Sequence, residues 1–238
     1  MADTTSPTED GEKRRAPRPT ILVLVRHAVT EQTGPILSGR TPGIDLSDKG
    51  REQAARAADR LAPLPVAAVY ASPIERTRET ADAIASRHGL PVNLIEGMVE
   101  ADYGEWTGKE LKELAKSDLW KVVQVAPSTA RFPGGESIRE MQARAVSAIE
   151  EVVARHPAQI VVVVSHSDVI KAAVAHFSGI HLDLFQRIAI SPASVTALAF
   201  GGTLGAALLR LNDTGDLDEL KPTEEKAQGD EGAVEVPS

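Results

Sequence analysis

Five consecutive aliphatic residues, Ile21-Leu22-Val23-Leu24-Val25, end without transition at Arg26-His27. The run is far shorter than the ~20 apolar residues of a membrane helix, and no polar residue alternates within it. It predicts a strand buried on both faces, as in a parallel sheet covered by helices. Ligands of such sheets bind beyond the carboxyl ends of the strands, so His27 is expected where chemistry is done. Ile160-Val161-Val162-Val163-Val164 followed by Ser165-His166 repeats the device, and two such junctions point to one shared site.

Helical patterns alternate with these strands. Leu46-Ser47-Asp48 offers a helix cap, and Ala54, Ala55, Ala58 and Leu61 are spaced to face a core. Pro65 to Ala71 predicts a further buried strand. Ser72-Pro73-Ile74-Glu75 then carries two helix-start signals, a capping box and a proline at the first helical position, which places Arg76 in the first turn beyond a strand end. Short strands are expected at Val92–Ile95, Val195–Phe200 and Ala206–Leu211, with helices beginning at the Ser137-Ile-Arg-Glu140 capping box and near Asp168. Alternation of this kind predicts an α/β fold, a three-layer α/β/α sandwich with a mostly parallel sheet and a small lid insertion at about 103–136.

The formal charge of −8 is a property of one end. Residues 213–238 carry nine acidic and two basic side chains, and residues 1–19 balance at four of each, so the middle is close to neutral. Both ends are expected to be disordered tails flanking a domain at 20–212. No basic excess favours nucleic acid. Arg14-Arg15 is followed by too short an apolar stretch for a signal peptide, and the chain has no cysteine. A cytoplasmic protein with no membrane and no nucleic-acid partner is the expectation; a homodimer is compatible with the sequence, which does not specify assembly.

Half of the eight aromatic residues, Tyr103, Trp106, Trp120 and Phe132, fall within 103–132. Concentration beyond a catalytic edge suggests a substrate lid, and a small subdomain core explains it equally well. Arg26 and Arg76 form a pair of permanently charged forks suited to phosphate oxygens. His27 is a candidate nucleophile toward phosphorus, and His166 a donor across the same anion. A proton for the leaving alkoxide is available from Glu100 or Asp102 if burial raises its pKa.

Five ordered segments carry a resemblance: Arg26-His27-Ala28 with Thr30; Ala71 to Ala81 around Arg76; Glu100-Ala-Asp-Tyr103-Gly-Glu-Trp106-Thr-Gly108; Pro133-Gly-Gly-Glu-Ser137; and Ser165-His166. The chain resembles the histidine phosphatase superfamily, also called phosphoglycerate mutase-like, in a branch of probable phosphomutases and broad phosphatases. The resemblance implies a phosphohistidine on His27, a phosphate pocket of Arg26, Arg76 and His166, and Glu100 as general acid and then base. It adds Thr30, Ser38, Gly39 and Tyr103 to the substrate phosphate site and implies no metal or organic cofactor.

Ala28 replaces the usual glycine after the first histidine, and Ser167-Asp168 follows the second. No adjacent arginine pair in the lid is available for a second acidic group. The expected activity is therefore metal-independent hydrolysis of a small phosphomonoester by a phosphoric monoester hydrolase. The alternatives are a phosphoglycerate-mutase-like phosphomutase and a noncatalytic phospholigand-binding protein. No G-x-G-x-x-G follows the first strand to support dinucleotide binding.

Overall fold

The computed structural model describes residues 18–201 and 205–215. Its strands are β1 (Thr20–Arg26), β2 (Val66–Ala71), β3 (Val92–Leu94), β4 (Ile160–Ser165), β5 (Val195–Phe200) and β6 (Ala206–Asp213). Its helices are α1 (Asp48–Leu61), α2 (Glu75–His88), α3 (Leu111–Leu114), α4 (Asp118–Val125), α5 (Ile138–Arg155) and α6 (Ser167–Phe177). One sheet runs in the order β3-β2-β4-β1-β5-β6. The pairs β1–β4, β2–β4 and β2–β3 are parallel, whereas β5 and β6 join antiparallel at one side. The expectations for the two tails fall on residues outside the described ones, apart from the last two residues of the N-terminal stretch and the first three of the C-terminal stretch.

The pleat divides the apolar runs between two cores. Leu22, Leu24, Val161 and Val163 face Ile149 and Val152 of α5 and Ile170 and Val174 of α6. Val23, Val25, Val162 and Val164 face Ala58 and Leu61 of α1 and Ala81 and Ile84 of α2. Two-sided burial is why these strands contain no polar alternation. Each fully buried Leu, Val or Ile contributes about 1.5–3 kcal/mol relative to exposure.

Local start signals are partly as expected. Ser47 accepts from the Gly50 N–H at the start of α1, and Ser137 and Glu140 form a complete capping box at the start of α5. The expected face of α1 needs one correction, since Ala57 is buried and Ala55 only partly so. The capping box expected at Ser72 does not form. Helix α2 begins two residues later than Pro73, its N-cap is Ile74, and no side chain caps it. The Ser72 hydroxyl is engaged by a histidine instead, as described below.

Between β3 and α5 the chain makes short 3-10 turns and the small helices α3 and α4. Their aromatics pack on one another, with ring centroids 4.9 Å apart for Tyr103 and Phe132, 5.6 Å for Trp106 and Phe132, and 6.1 Å for Trp106 and Trp120. The same four rings also line the cavity at the strand ends described below. The loop at Glu100–Gly104 is pressed against Pro133–Gly135. A Cβ at Gly104 would lie 2.1 Å from Pro133 O, and one at Gly135 would lie 2.2 Å from Asp102 O, so only glycine permits this approach.

Candidate active site

Parallel pairing places Arg26 opposite Ser165, which puts the following residues, His27 and His166, side by side at one sheet edge. Their ring centroids are 5.3 Å apart in an edge-on arrangement. A cavity of about 360 Å³ opens over this edge. Arg26, His27, Thr30, Ser38, Gly39, Arg76, Glu100 and Tyr103 all line it. His166 does not; it is wholly buried and reaches the cavity through Arg76 and Glu100.

Arg76 is the hub. Its Nε donates to His27 Nε2 at 3.3 Å, and its Nη2 donates to Gly39 O at 2.8 Å and to His166 Nδ1 at 3.3 Å. Because a guanidinium only donates, both contacted ring nitrogens bear lone pairs. The proton of His27 therefore sits on Nδ1, which donates to Ala28 O at 2.8 Å. The proton of His166 sits on Nε2, 2.8 Å from Ser72 Oγ. Two buried guanidinium nitrogens, Arg26 Nε and Arg76 Nη1, have no hydrogen-bond partner, while Arg26 is tethered by Nη1 to Ile190 O at 2.7 Å.

Burial lowers the pKa of both arginines, opposed chiefly by the Glu100 charge; guanidiniums retain their charge regardless. Burial, then the Arg76 charge, holds His27 and His166 well below the usual imidazole range, so both rings are neutral near pH 7. Glu100 moves the other way. Burial and then the neighbouring Asp168 charge raise it to about 7, against the pull of Arg76, Ala101 N–H and Arg26. Its Oε1 accepts from Ala101 N at 2.9 Å and its Oε2 lies 3.7 Å from His166 Nδ1.

The remaining expected residues have mixed placements. Tyr103 donates to Asp168 Oδ2 at 3.0 Å, Ser38 to Gln32 Oε1 at 2.9 Å, and the Thr30 and Thr33 hydroxyls lie 3.1 Å apart. The methyl of Ala28 packs with Leu46, Ala54 and Ala57 rather than on the cavity wall. Its N–H donates to Thr80 Oγ1, so the replacement of glycine leaves the pocket surface unchanged.

Several functional contacts escape sequence reasoning. Ser72 is masked by its capping-box pattern. Asp168 stands out only as a departure after the second histidine. The backbone under Glu100 is held by Arg144, which donates to Gly97 O, Val99 O and Glu100 O. Arg40 Nε also donates to Glu100 O. Glu136 ties the two arginines together and accepts from Asp102 N at 2.8 Å. The only sequence signal for this clamp is the glutamate of Pro133-Gly-Gly-Glu136.

A largely parallel sheet that gathers neutral imidazoles, guanidiniums and a carboxyl group of raised pKa at its strand ends has the equipment of phosphoryl chemistry. The sequence matches the model of the histidine phosphatase superfamily (branch 1) over residues 22–214. It is 34% identical over 212 residues to phosphoserine phosphatase 1 of Hydrogenobacter thermophilus, covering 87% of this chain and 98% of that one. The fold superposes on a mycobacterial glucosyl-3-phosphoglycerate phosphatase with a TM-score of 0.75 at 25% identity, over 82% of this chain and all of that one. Phosphoserine phosphatase of Entamoeba histolytica, solved as a variant with phosphoserine, gives 0.74 at 26% identity, over 82% and 98%. The chain belongs to the histidine phosphatase superfamily. It is a phosphomonoesterase of the histidine-phosphatase type, and these comparisons favour hydrolysis over the mutase and noncatalytic alternatives.

Proposed function

We propose that the enzyme hydrolyses a small phosphomonoester through a phosphohistidine on His27, in the reducing cytoplasm that a cysteine-free chain suits. The observation that carries this reading is the pair of contacts on the His27 ring. Nδ1 lies 2.8 Å from Ala28 O, to which its N–H donates, and Nε2 accepts from Arg76, which leaves its lone pair at a cavity that Glu100 also lines.

In the first step His27 Nε2 forms a bond to phosphorus as the ester P–O bond breaks, and Glu100 gives its proton to the departing alkoxide. In the second, ionised Glu100 takes a proton from water as its oxygen displaces Nε2, releasing inorganic phosphate. Arg26 and Arg76 balance the equatorial oxygens through their unpaired donors. As Arg76 turns onto the phosphate, His166 Nδ1 faces the same anion; the Ser72 hydroxyl can donate as well as accept, so His166 can carry its proton on either nitrogen. Thr30, Ser38, Gly39 and Tyr103 shape the phosphate end of the pocket, and segment 103–136 covers the organic part as a lid.

The test is acid-stable and acid-labile label trapping with a phosphorus-labelled ester. Wild-type protein is expected to yield an acid-labile, base-stable phosphoprotein, and His27→Ala none, with turnover reduced by roughly 10³-fold or more. A variant that still turns over at the wild-type rate eliminates His27 as nucleophile.

A further inference from the structure

The charged groups on the cavity wall are few. Among the described residues lining it, the cations are Arg26, Arg76 and Lys171, and the anions are Glu100 and Asp168. The two guanidiniums face the reacting histidines, whereas Lys171 comes from the second turn of α6 and is already engaged. Its Nζ lies 3.4 Å from Asp168 Oδ1 and 3.1 Å from Gln186 Oε1. Asp168 is anchored on its other oxygen by Tyr103 OH. Both partners of the pair are largely buried, with side chains 16% and 23% exposed, so solvent does little to screen them. The rest of the described wall beyond the phosphate end carries no charge, with Trp106, Trp120, Leu111 and Val123 beside the neutral amides of Gln124 and Gln186.

We propose that this cavity selects phosphomonoesters whose organic part carries no net negative charge, and that Asp168 enforces the selection by neutralising Lys171. The inference rests on the phosphatase reading above and goes beyond it to substrate class. Once Arg26 and Arg76 are committed to the phosphate dianion, no unpaired cation among the described wall residues is left for a second anionic group. A carboxylate there would instead meet Asp168 in surroundings of low dielectric, where like charges repel strongly. A neutral alcohol avoids this, and so does a zwitterion, whose ammonium and carboxylate match Asp168 and Lys171 in turn.

Three esters with the same primary alkoxide leaving group separate these cases. Glycerol 3-phosphate has no carboxylate, 3-phosphoglycerate has one, and O-phosphoserine differs from the latter by an ammonium in place of a hydroxyl. With the full-length enzyme, kcat/KM for glycerol 3-phosphate and O-phosphoserine should each exceed that for 3-phosphoglycerate by about tenfold or more. Equal or better use of 3-phosphoglycerate overturns the proposal. Asp168→Asn keeps an acceptor for Tyr103 and releases Lys171, so the ratio of 3-phosphoglycerate to glycerol 3-phosphate should rise several-fold. Lys171→Gln should lower the same ratio. Unchanged ratios in both variants remove the assignment to this pair even if the wild-type preference holds. Absence of any wild-type turnover of p-nitrophenyl phosphate is a different failure, since it removes the phosphatase reading and this inference with it.

Discussion

The guanidinium of Arg76 donates through Nε to Nε2 of His27 at 3.3 Å. The group that would hold a phosphate thus also orients the atom that would attack it. Lysine cannot serve both purposes, because an ammonium lacks the fixed fork that reaches His27, Gly39 and His166 together. Arg76→Lys is expected to lower kcat/KM by roughly 10²-fold while leaving α2 intact. Steady-state kinetics with a circular dichroism control checks this, and a loss below threefold would count against the hub.

Glu100 yields two predictions of opposite practical sign. As general acid it needs its proton, and with a pKa of about 7 the single-turnover rate on alkyl phosphates should fall as pH rises through about 7. Glu100→Gln should abolish that dependence and slow alkyl esters far more than p-nitrophenyl phosphate, whose leaving group requires little protonation. Equal losses on both substrates would point to another acid.

The same raised pKa bears on stability. Its folded value lies above the ordinary 4.5, so the stabilising contribution of the protonated form is fully present below pH 4.5 and is lost as pH rises through 7. The span corresponds to on the order of 3 kcal/mol. Glu100→Gln should therefore be more stable than wild type at pH 8, with the advantage shrinking toward pH 5. Urea denaturation at the two pH values measures it.

Ser72 Oγ lies 2.8 Å from His166 Nε2 inside the protein, where neither group reaches solvent. Ser72→Ala leaves that N–H without its partner, at a cost of about 1–3 kcal/mol, and removes the proton exchange proposed for His166. We expect kcat to fall about tenfold with KM little changed. A thermal shift without a kinetic change would reduce Ser72 to a packing role.

Glu136 joins Arg144, Arg40 and Asp102 N beneath Glu100. Glu136→Gln should loosen the loop that carries the acid, lowering stability by about 2–3 kcal/mol. The loss of kcat should be larger for alkyl than for aryl phosphates. Glu136→Asp, which keeps the charge but shortens the arm, should fall between the two in both measurements.

The architecture was legible where one local signal had one structural use. The runs at 21–25 and 160–164 lack polar alternation because both their faces are covered, and the Ser137 box caps the helix its pattern specifies. Legibility failed where tertiary contacts reassigned a side chain. Ser72 has the local pattern of a cap, but His166 occupies its hydroxyl and α2 starts uncapped. The depth of His166 was equally unreadable, because strand register sets the spacing of the two histidines but not which of them meets the cavity. Arg144 is one of several arginines on α5 in sequence, and only the folded loop turns three carbonyls toward it.

The pairing of Arg26 with Ser165 across neighbouring strands has an evolutionary corollary. The two imidazoles follow directly from central strands of the sheet, whereas Trp106, Trp120, Val123 and Phe132 of the cavity wall come from a separate stretch between β3 and α5. Replacement of residues in that insertion can retarget the enzyme without disturbing the distance between its imidazoles. A family arranged in this way can diversify its diet while conserving its teeth.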